Sequence, residues 1–445
     1  MKYRLIAAVA CGMCLINLWH SWQDARIYGG TDLRIRVVGA RALMRGINPY
    51  TLQQTADLDP ALRDPDQRDL SRCTYPPTLL LFYAPFSSMP YPAQRALWMI
   101  LEWSVFASSV VVLRSCLPSR ESQYWFSVMA IGLIGGSSFW RLHAERGQYY
   151  IFVVLLISVG IWLIRKTRHT TIAGCLWGVA ICLRPTSALL VLPWFTNPRN
   201  RTAVAAIVTA LLLVVGATLK TDPVYWRDFL HLSGAWESAL INTSPDAARE
   251  TIPVSEPTDG SPTDGYLTAM LPGFASNLTF ISLSRSLQTT FECHPDPVTV
   301  SRLGKLVWLV LICVIGLLHY RNRRPESDAT ENRVLTGVCL MLVTDYFLPI
   351  RIEYADVMFL IPMALLMPVL IRPEHRIFAL IGVFAMLIHQ VPMNDLPFNM
   401  AAVTSMMRSG VVLYLLVRFS IVQQPETSLD HTPASTDSES TSSRI

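Results

Sequence analysis

Hydrophobic residues occur along the chain in long stretches separated by short polar segments, many of them basic. Twelve such stretches are present, at 5–22, 93–113, 124–139, 149–164, 171–183, 186–195, 203–219, 303–320, 334–350, 356–371, 377–392 and 400–417. About 20 residues of α-helix cross a hydrocarbon core that is about 30 Å thick. The pattern therefore predicts an all-α, polytopic membrane protein with about 12 transmembrane helices.

Two of these stretches, 171–183 and 186–195, are too short to span a bilayer as ordinary helices. They flank Arg184-Pro185, where the chain changes from apolar to charged. Proline cannot continue a helix without disturbing it, and irregular backbone inside a bilayer needs surrounding protein. We expect a broken helix or a pair of short crossings that is buried among other helices.

Positive charge orients the predicted spans. With the N-terminus in the cytoplasm, every short loop on that side is basic, as the positive-inside rule requires. The residues concerned are Arg114, Arg120, Arg165, Lys166, Arg168, Arg199, Arg201, Arg321, Arg323, Arg324, Arg333, Arg372 and Arg376. The opposite face then carries two large loops, 23–92 and 220–302. The predicted organisation is a membrane module at 1–219, an outer loop at 220–302, a second membrane module at 303–417 and a disordered cytoplasmic tail at 418–445.

The composition agrees with a membrane protein and narrows its chemistry. Charged residues make up 16% of the chain, against about 25% in soluble proteins, and hydrophobic residues 51%. No phosphate-binding loop, dinucleotide fingerprint, nucleophile elbow or zinc-ligand spacing is present in the sequence. We therefore expect no nucleotide or metal cofactor, no nucleic-acid partner, and membrane lipids as neighbours.

The first outer loop opens with a segment, 31–50, that predicts a short helix. Thr31 or Asp32 is placed to cap its start, and Gly46 and Pro49 to end it. On the residues alone, Asp32 is either a helix cap or a catalytic base. Arginine forks match phosphate geometry, so the face formed by Arg34, Arg41 and Arg45 either binds a phosphate-bearing ligand or is a solvated surface paired with nearby aspartates. The apolar run 78–86 predicts a second helix, in the membrane interface.

Two further charged groups lie at the ends of predicted spans. An ionisable group at the centre of a membrane helix costs about 2.5–3.5 kcal/mol, so these groups must pair or line a wet cavity. For each group, a structural salt bridge and the binding of phosphate or sugar hydroxyls remain alternatives. Asp32, Glu145 and Glu353 are compatible with a divalent cation, but their spacing does not demand one. The groups are Asp345, Arg351, Glu353 and Asp356, and Arg141, His143, Glu145 and Arg146.

Two cysteines, Cys73 and Cys293, are the only ones in the predicted outer loops. An oxidising compartment favours a disulfide between them. Two free thiols are the alternative.

Several of these segments together resemble glycosyltransferase family 87. The segments are Asp32, Gly46-Ile47-Asn48-Pro49-Tyr50, Tyr75-Pro76-Pro77, Pro85-Phe86 and Leu97-Trp98, with weaker matches at Gly147-Gln148, Arg184-Pro185 and Ser284-Arg285. The best-known members of this family are polyprenyl-phosphate-mannose-dependent mannosyltransferases. The resemblance implies the GT-C architecture, with juxtamembrane helices after the first span and an active site on the extracytoplasmic face.

The resemblance also implies roles for individual residues. Asp32 occupies the position of the family's acidic catalytic residue. Tyr354 stands where the family often has histidine, so the resemblance does not identify the sugar. We expect the donor phosphate or sugar to bind at Arg34, Arg146, Gln148, Arg184, Arg285, Arg351, Glu353 and Tyr354, and the lipid or acceptor along Tyr50, Tyr75, Pro76 and Pro77.

The predicted function is transfer of one sugar from a polyprenyl-phosphate donor to a glycan or glycolipid acceptor, with inversion. The arginine-rich composition favours a bacterial inner membrane with the active site on its periplasmic face. A lipid or sugar-lipid transporter is one alternative, and it predicts charges deep within the spans. A non-catalytic assembly subunit is another, and it would tolerate loss of Asp32.

Overall fold

The structure is a computed structural model that describes residues 2–26, 30–52, 58–63, 73–196, 200–242, 297–321, 326–348 and 353–387, with single helical positions at 410, 411 and 414. Every regular element within these ranges is a helix, which confirms the all-α prediction. The α-helices up to the second outer loop are α1 Lys2–Arg26, α2 Thr31–Met44, α3 Pro77–Tyr83, α4 Tyr91–Ser115, α5 Arg120–Met129, α6 Ser138–Arg146, α7 Tyr150–Trp162, α8 Thr170–Leu183, α9 Arg201–Lys220 and α10 Pro223–Asn242. The later ones are α11 Pro297–Arg321, α12 Glu326–Phe347, α13 Leu360–Leu370 and α14 Arg376–Leu387.

Five helical segments in the described part of the chain are long and apolar enough to cross a membrane. They are Arg4–Arg26, Tyr91–Ser115, Tyr150–Thr167, Arg201–Lys220 and Thr299–Arg321. The protein is therefore a multi-pass membrane protein. Three shorter apolar helical segments accompany them: Pro77–Phe86, Thr170–Leu183 and Tyr354–Leu370. The number of about 12 crossings remains a prediction, and most of the stretch 400–417 lies outside the described residues.

The chain is interrupted at Arg184-Pro185, as predicted. Arg184 has an extended backbone, with φ −142° and ψ 99°, because a following proline disfavours the helical conformation. The stretch 186–195 is not an α-helical crossing. It forms two 3₁₀ helices, Pro185–Leu190 and Leu192–Thr196. The first packs against α12, where Gly337 leaves room for the Leu190 backbone.

The two juxtamembrane helices predicted in the first outer loop are present as α2 and α3. Gly46 follows the C-cap residue Arg45 of α2. Its backbone is left-handed, at φ +72°, as expected of the glycine that ends this helix. The predicted helix cap is wrong, because the N-cap residue is Gly30 and no side chain caps this end. The location of α3 in the membrane interface remains a prediction. Its Pro77, Leu79 and Tyr83 are buried, so one face of α3 packs against the protein.

An aromatic cluster joins the first outer loop to the membrane helices. The ring of Tyr83 in α3 stacks on Trp98 in α4, with 4.9 Å between centroids, and Trp98 lies 5.0 Å from Phe152 in α7. The other side of the loop contacts α10, where Asn48 donates to Asp228 at 2.7 Å. The loop that carries Asp32 is thereby held between α4, α7 and α10.

Candidate active site

Asp32 lies in the first turn of α2, where its residue surface is 8% exposed. Its Oδ2 accepts a hydrogen bond from Nε2 of Gln148. The Arg146 Nη1 atom lies 3.8 Å from the same oxygen, and the Arg146 side chain is 39% exposed. The fold thus brings two predicted site residues, Arg146 and Gln148, to the predicted catalytic carboxylate.

Gln148 also contacts Arg36, which is buried beside it. Arg36 Nη2 donates to Gln148 Oε1 at 2.7 Å and to the Tyr75 hydroxyl at 2.9 Å, while Nη1 donates to the Gly147 carbonyl at 3.1 Å. Arg36 is 1% exposed. A buried guanidinium needs several acceptors to offset its lost hydration, and these contacts provide them for Nη1 and Nη2.

Tyrosine rings surround Arg36 and continue toward α13. The Arg36 guanidinium lies 4.3 Å from the Tyr75 ring centroid and 4.9 Å from that of Tyr149. Tyr149 stacks on Tyr150 at 4.7 Å, and Tyr150 lies 5.5 Å from Tyr354. Burial raises the pKa of Tyr75 well above its usual range, despite the opposing effect of Arg36, so its phenol stays protonated. Tyr75 and Tyr354, both predicted site residues, therefore belong to one aromatic wall.

The turn that presents Gln148 is the C-terminal end of α6. Gly147 is left-handed, at φ +69°, with its N–H donating to Ala144 O at 3.2 Å, while the Gln148 N–H donates to His143 O at 3.0 Å. This pair of bonds is the Schellman motif, which satisfies two of the last helix carbonyls. Arg95 of α4 donates to the Ala144 carbonyl at 2.6 Å.

The end of α6 is also tied to the start of α2. The Gly30 N–H donates to the Glu145 carbonyl at 2.5 Å, and Arg95 reaches the same carbonyl at 3.2 Å. The backbone that carries Asp32 and the backbone that carries Gln148 are therefore joined directly.

A buried acid–imidazole pair, Glu102 and His143, lies beneath this turn. His143 Nδ1 is 3.3 Å from Glu102 Oε1, and both side chains are fully buried. The Ile151 N–H donates to His143 Nε2 at 3.4 Å, so Nε2 is an acceptor and Nδ1 carries the proton of the neutral ring. Burial lowers the pKa of His143 to about 3, with a further contribution from Arg36, so the imidazole is neutral.

Arg36 and Glu102 are residues of this site that were not predicted from the sequence. Arg36 lies among several other arginines of the first outer loop, and nothing in its local sequence distinguishes it from them. Glu102 carried a usable signal, because it is an acid within the apolar stretch 93–113 and intramembrane acids are rare and costly.

Other predicted site residues lie around this centre. Arg184 pairs with Asp345 at 2.6 Å and lies over the Tyr150 ring at 4.3 Å, at the edge of the aromatic wall. Tyr50 is buried, and its hydroxyl donates to the Tyr75 carbonyl at 2.8 Å. Pro77 is buried and Pro76 is partly exposed. Arg34 is buried on α2, with its guanidinium 6.0 Å from the Tyr91 ring centroid.

The other two arginines of the predicted face have structural partners. Arg41 donates to the carbonyls of Ser87 and Met89 at 2.5 and 2.9 Å, and Arg45 pairs with Asp59 at 2.5 Å on the surface. For Arg45, this contact matches the expectation of a solvated loop.

Several predicted residues lie outside the described part of the chain: Arg285, Arg351, Cys293 and the side chain of Glu353. Cys73 is buried, and burial raises the pKa of its thiol to about 12. Its pairing with Cys293 remains a prediction. Among the described residues, no three His, Cys, Asp or Glu side chains are grouped as metal ligands.

A mostly apolar cavity of about 410 Å³ lies between α5, α13 and α14. Its walls include Met129, Met363, Met367 and Met386, with Glu121 and Arg376 as its charged residues. None of the predicted site residues lines it. It is therefore separate from the cluster around Asp32.

Residues 74–256 match the model of glycosyltransferase family 87. The matched segment contains Tyr75, Arg146, Gln148 and Arg184, whereas Asp32 and Tyr354 lie outside it. No curated protein and no solved structure matches the chain significantly. The family match confirms the resemblance that was found in the sequence. Over these residues, and with its apolar helices, the chain is similar to membrane-embedded glycosyltransferases of family 87.

Proposed function

We propose that the protein transfers a single sugar from a polyprenyl-phosphate donor to an acceptor hydroxyl, with Asp32 as the general base. The observation that supports this most directly is the arrangement around the Asp32 carboxylate. One of its oxygens is held by the buried amide of Gln148, and the partly exposed cation of Arg146 lies 3.8 Å away. The fixed carboxylate can accept the proton of the attacking hydroxyl, and the accessible cation beside it can stabilise the leaving phosphate.

The proposed step is one displacement at the anomeric carbon. An acceptor hydroxyl gives its proton to Asp32 while its oxygen bonds to the anomeric carbon. The bond from that carbon to the phosphate oxygen breaks, and polyprenyl phosphate leaves with the electron pair. A general base of this kind accelerates a reaction by about 10²–10⁴-fold. Because the attack comes from the face opposite the leaving group, the anomeric configuration inverts.

Arginines are proposed to bind the phosphate and to stabilise its charge as it leaves. Arg146 is the best placed of the described candidates, since it is partly exposed and adjacent to Asp32. Arg184 is already paired with the Asp345 carboxylate, so we propose only a supporting role for it in phosphate binding. Arg285 and Arg351 remain proposed partners. No step requires a metal or an organic cofactor.

We further propose a periplasmic active site in a bacterial inner membrane. The support is the basic character of the short loops on the opposite side, which follows the positive-inside rule. The polyprenyl chain is proposed to enter from the bilayer near Tyr75 and Pro76, which are partly exposed beside the site. The acceptor is a glycan or glycolipid.

The transporter and the non-catalytic subunit fit the cluster less well. A transporter has no need for a carboxylate that is oriented by an amide and lies beside a partly exposed cation. An assembly subunit would not require the Arg146 cation beside it. The geometry therefore favours an enzyme over both alternatives.

The test is transfer activity of the purified Asp32→Asn variant. The donors are polyprenyl-phosphate mannose and polyprenyl-phosphate glucose in turn, and the acceptors are short alkyl glycosides. Asparagine keeps the shape and an oxygen for Gln148 but cannot accept the proton. We expect turnover to fall by about 10²–10⁴-fold, with donor binding retained.

Asp59→Asn is the matched control, because Asp59 is an exposed aspartate of the same loop. It should have wild-type activity. The melting temperature of Asp32→Asn should stay near that of the wild type, since Asp32 caps no helix. Near-normal transfer by Asp32→Asn would exclude Asp32 as the base.

A further inference from the structure

One amide side chain, that of Gln148, separates Arg36 from Asp32. The oxygen and nitrogen of an amide are usually hard to distinguish, and their assignment depends on the hydrogen-bond partners. Here the hydrogen-bond partners of Gln148 decide which amide atom is the oxygen. A guanidinium can only donate, so Oε1 must face Arg36. The Gln148 nitrogen Nε2 must then face Asp32, where it donates to the Oδ2 atom of the carboxylate.

Both ends of this arrangement are fixed by further contacts. The Gln148 backbone is held in the Schellman motif by the His143 carbonyl, at 3.0 Å. Arg36 is held by the Gly147 carbonyl at 3.1 Å and by the Tyr75 hydroxyl at 2.9 Å. The amide therefore has little freedom to turn over.

A reversed amide would be unfavourable for catalysis. Its oxygen would then face the Asp32 carboxylate, and two acceptors would be opposed in a buried site. A hydrogen bond donated to a carboxylate favours its charged form, which is the form that acts as a base, and a reversed amide would not supply that bond. The orientation that Arg36 imposes is thus the one that the proposed reaction needs.

Arg36 itself is poorly placed to bind substrate. It is 1% exposed, and its Nη1 and Nη2 atoms contact Gly147, Tyr75 and Gln148. The partly exposed Arg146 beside Asp32 differs from it in this respect.

We propose that Arg36 is a positioning residue, which orients the Gln148 amide so that its nitrogen donates to the Asp32 carboxylate. This inference rests on the proposed function, because it assigns Asp32 the role of base.

The experiment compares kcat/KM as a function of pH for five purified full-length variants: Arg36→Met, Gln148→Leu, the double variant, Gln148→Glu and Arg45→Met. The substrates are the polyprenyl-phosphate sugars and alkyl glycosides named above. Arg45→Met is the control, because Arg45 is an exposed arginine of the same helix region, paired with Asp59. It should behave as wild type.

Arg36→Met and Gln148→Leu should each lower kcat/KM by about 10²-fold, the loss that a misplacement of about 1 Å causes. If Arg36 acts through Gln148, the double variant should lose no more than the worse single variant. The acid limb of the pH profile should move to higher pH in all three. Multiplicative losses with an unmoved acid limb would show that Arg36 has a separate, structural role.

Gln148→Glu keeps the size of the side chain and an acceptor for Arg36, but it places an oxygen against Asp32. It should show the largest upward shift of the acid limb, with a melting temperature near that of the wild type. If Arg36→Met fails to fold, this variant still tests whether catalysis needs the Gln148 amide nitrogen to face Asp32. Wild-type activity and pH profile in Gln148→Glu would overturn the inference.

The Asp32→Asn variant distinguishes failure of the Arg36 positioning role from failure of the proposed function. If it is inactive while Gln148→Glu is normal, only the positioning role fails. If Asp32→Asn retains activity, the proposed function fails as well.

Discussion

Asp32 shows how one backbone conformation changes the meaning of a side chain. In the sequence, an aspartate at the start of a helix is as well suited to cap the helix as to act as a catalytic base. In the fold, Gly30 takes the N-cap position at φ +86°, and its N–H bonds to the Glu145 carbonyl. The Asp32 carboxylate is therefore available to Gln148 and Arg146. Its removal should not cost the stability of a lost cap.

Gly147 and Gly46 offer a matched pair of substitutions. Both are left-handed, at φ +69° and +72°, so alanine at either position costs about 1–2 kcal/mol from the backbone alone. A Cβ at Gly147 would also lie 2.7 Å from Leu33 Cβ, whereas a Cβ at Gly46 would meet nothing within 4 Å. Leu33 is adjacent to Asp32.

Gly147→Ala should therefore lower both the melting temperature and the transfer activity more than Gly46→Ala does. Thermal unfolding in detergent and the transfer assay would measure this. Equal effects of the two substitutions would contradict the close approach of Gly147 to Leu33.

Among the elements, the broken helix after α8 depends on an ion pair. Arg184 leaves the helical conformation before Pro185, and its guanidinium meets Asp345 of α12 at 2.6 Å. Both side chains are almost fully buried, at 6% and 0% exposed. Each charge therefore depends on the other, and the pair joins the 3₁₀ segment to α12.

Arg184→Met and Asp345→Asn should each destabilise the protein by about 3–5 kcal/mol, because each leaves a charge without its partner. The double variant Arg184→Met/Asp345→Asn should be less destabilised than the sum of the two. The exposed Arg45–Asp59 pair is the control, and its removal should cost about 0–1 kcal/mol. Melting temperatures in one detergent test this, and additive losses would show that the pair is uncoupled.

At the scale of the whole molecule, the membrane orientation is the main open prediction. We expect both termini in the cytoplasm and the loop 220–302 outside, because the short loops on the first side are basic. Single cysteines placed at Arg120, Asp259 and Ser440 can be labelled with an impermeant thiol reagent in intact cells.

Only the cysteine at Asp259 should react before the membrane is permeabilised, and all three should react afterwards. Labelling at Arg120 or Ser440 before permeabilisation would show that the orientation is the reverse of the predicted one. It would also move the proposed active site to the cytoplasmic face.

Local sequence was sufficient to predict much of the architecture. Long apolar stretches become helices in a membrane because the backbone must satisfy its own hydrogen bonds there. Glycine after α2 ends its turn because only glycine adopts the left-handed region at little cost. The helical class, the membrane location, the two helices of the first outer loop and the break at Arg184-Pro185 were all predictable on such grounds.

Which polar groups meet was decided by the tertiary structure. Gln148 is 116 residues from Asp32 and 112 from Arg36 in the chain, so no local pattern could reveal the contacts between them. Those contacts require the α6 turn, the start of α2 and α4 to pack together through Arg95 and Gly30. The sequence therefore determined which segments are helical and apolar, because these properties depend on neighbouring residues. The packing of distant helices determined the surroundings of Asp32, because a buried charge takes its partners from whatever the fold places beside it.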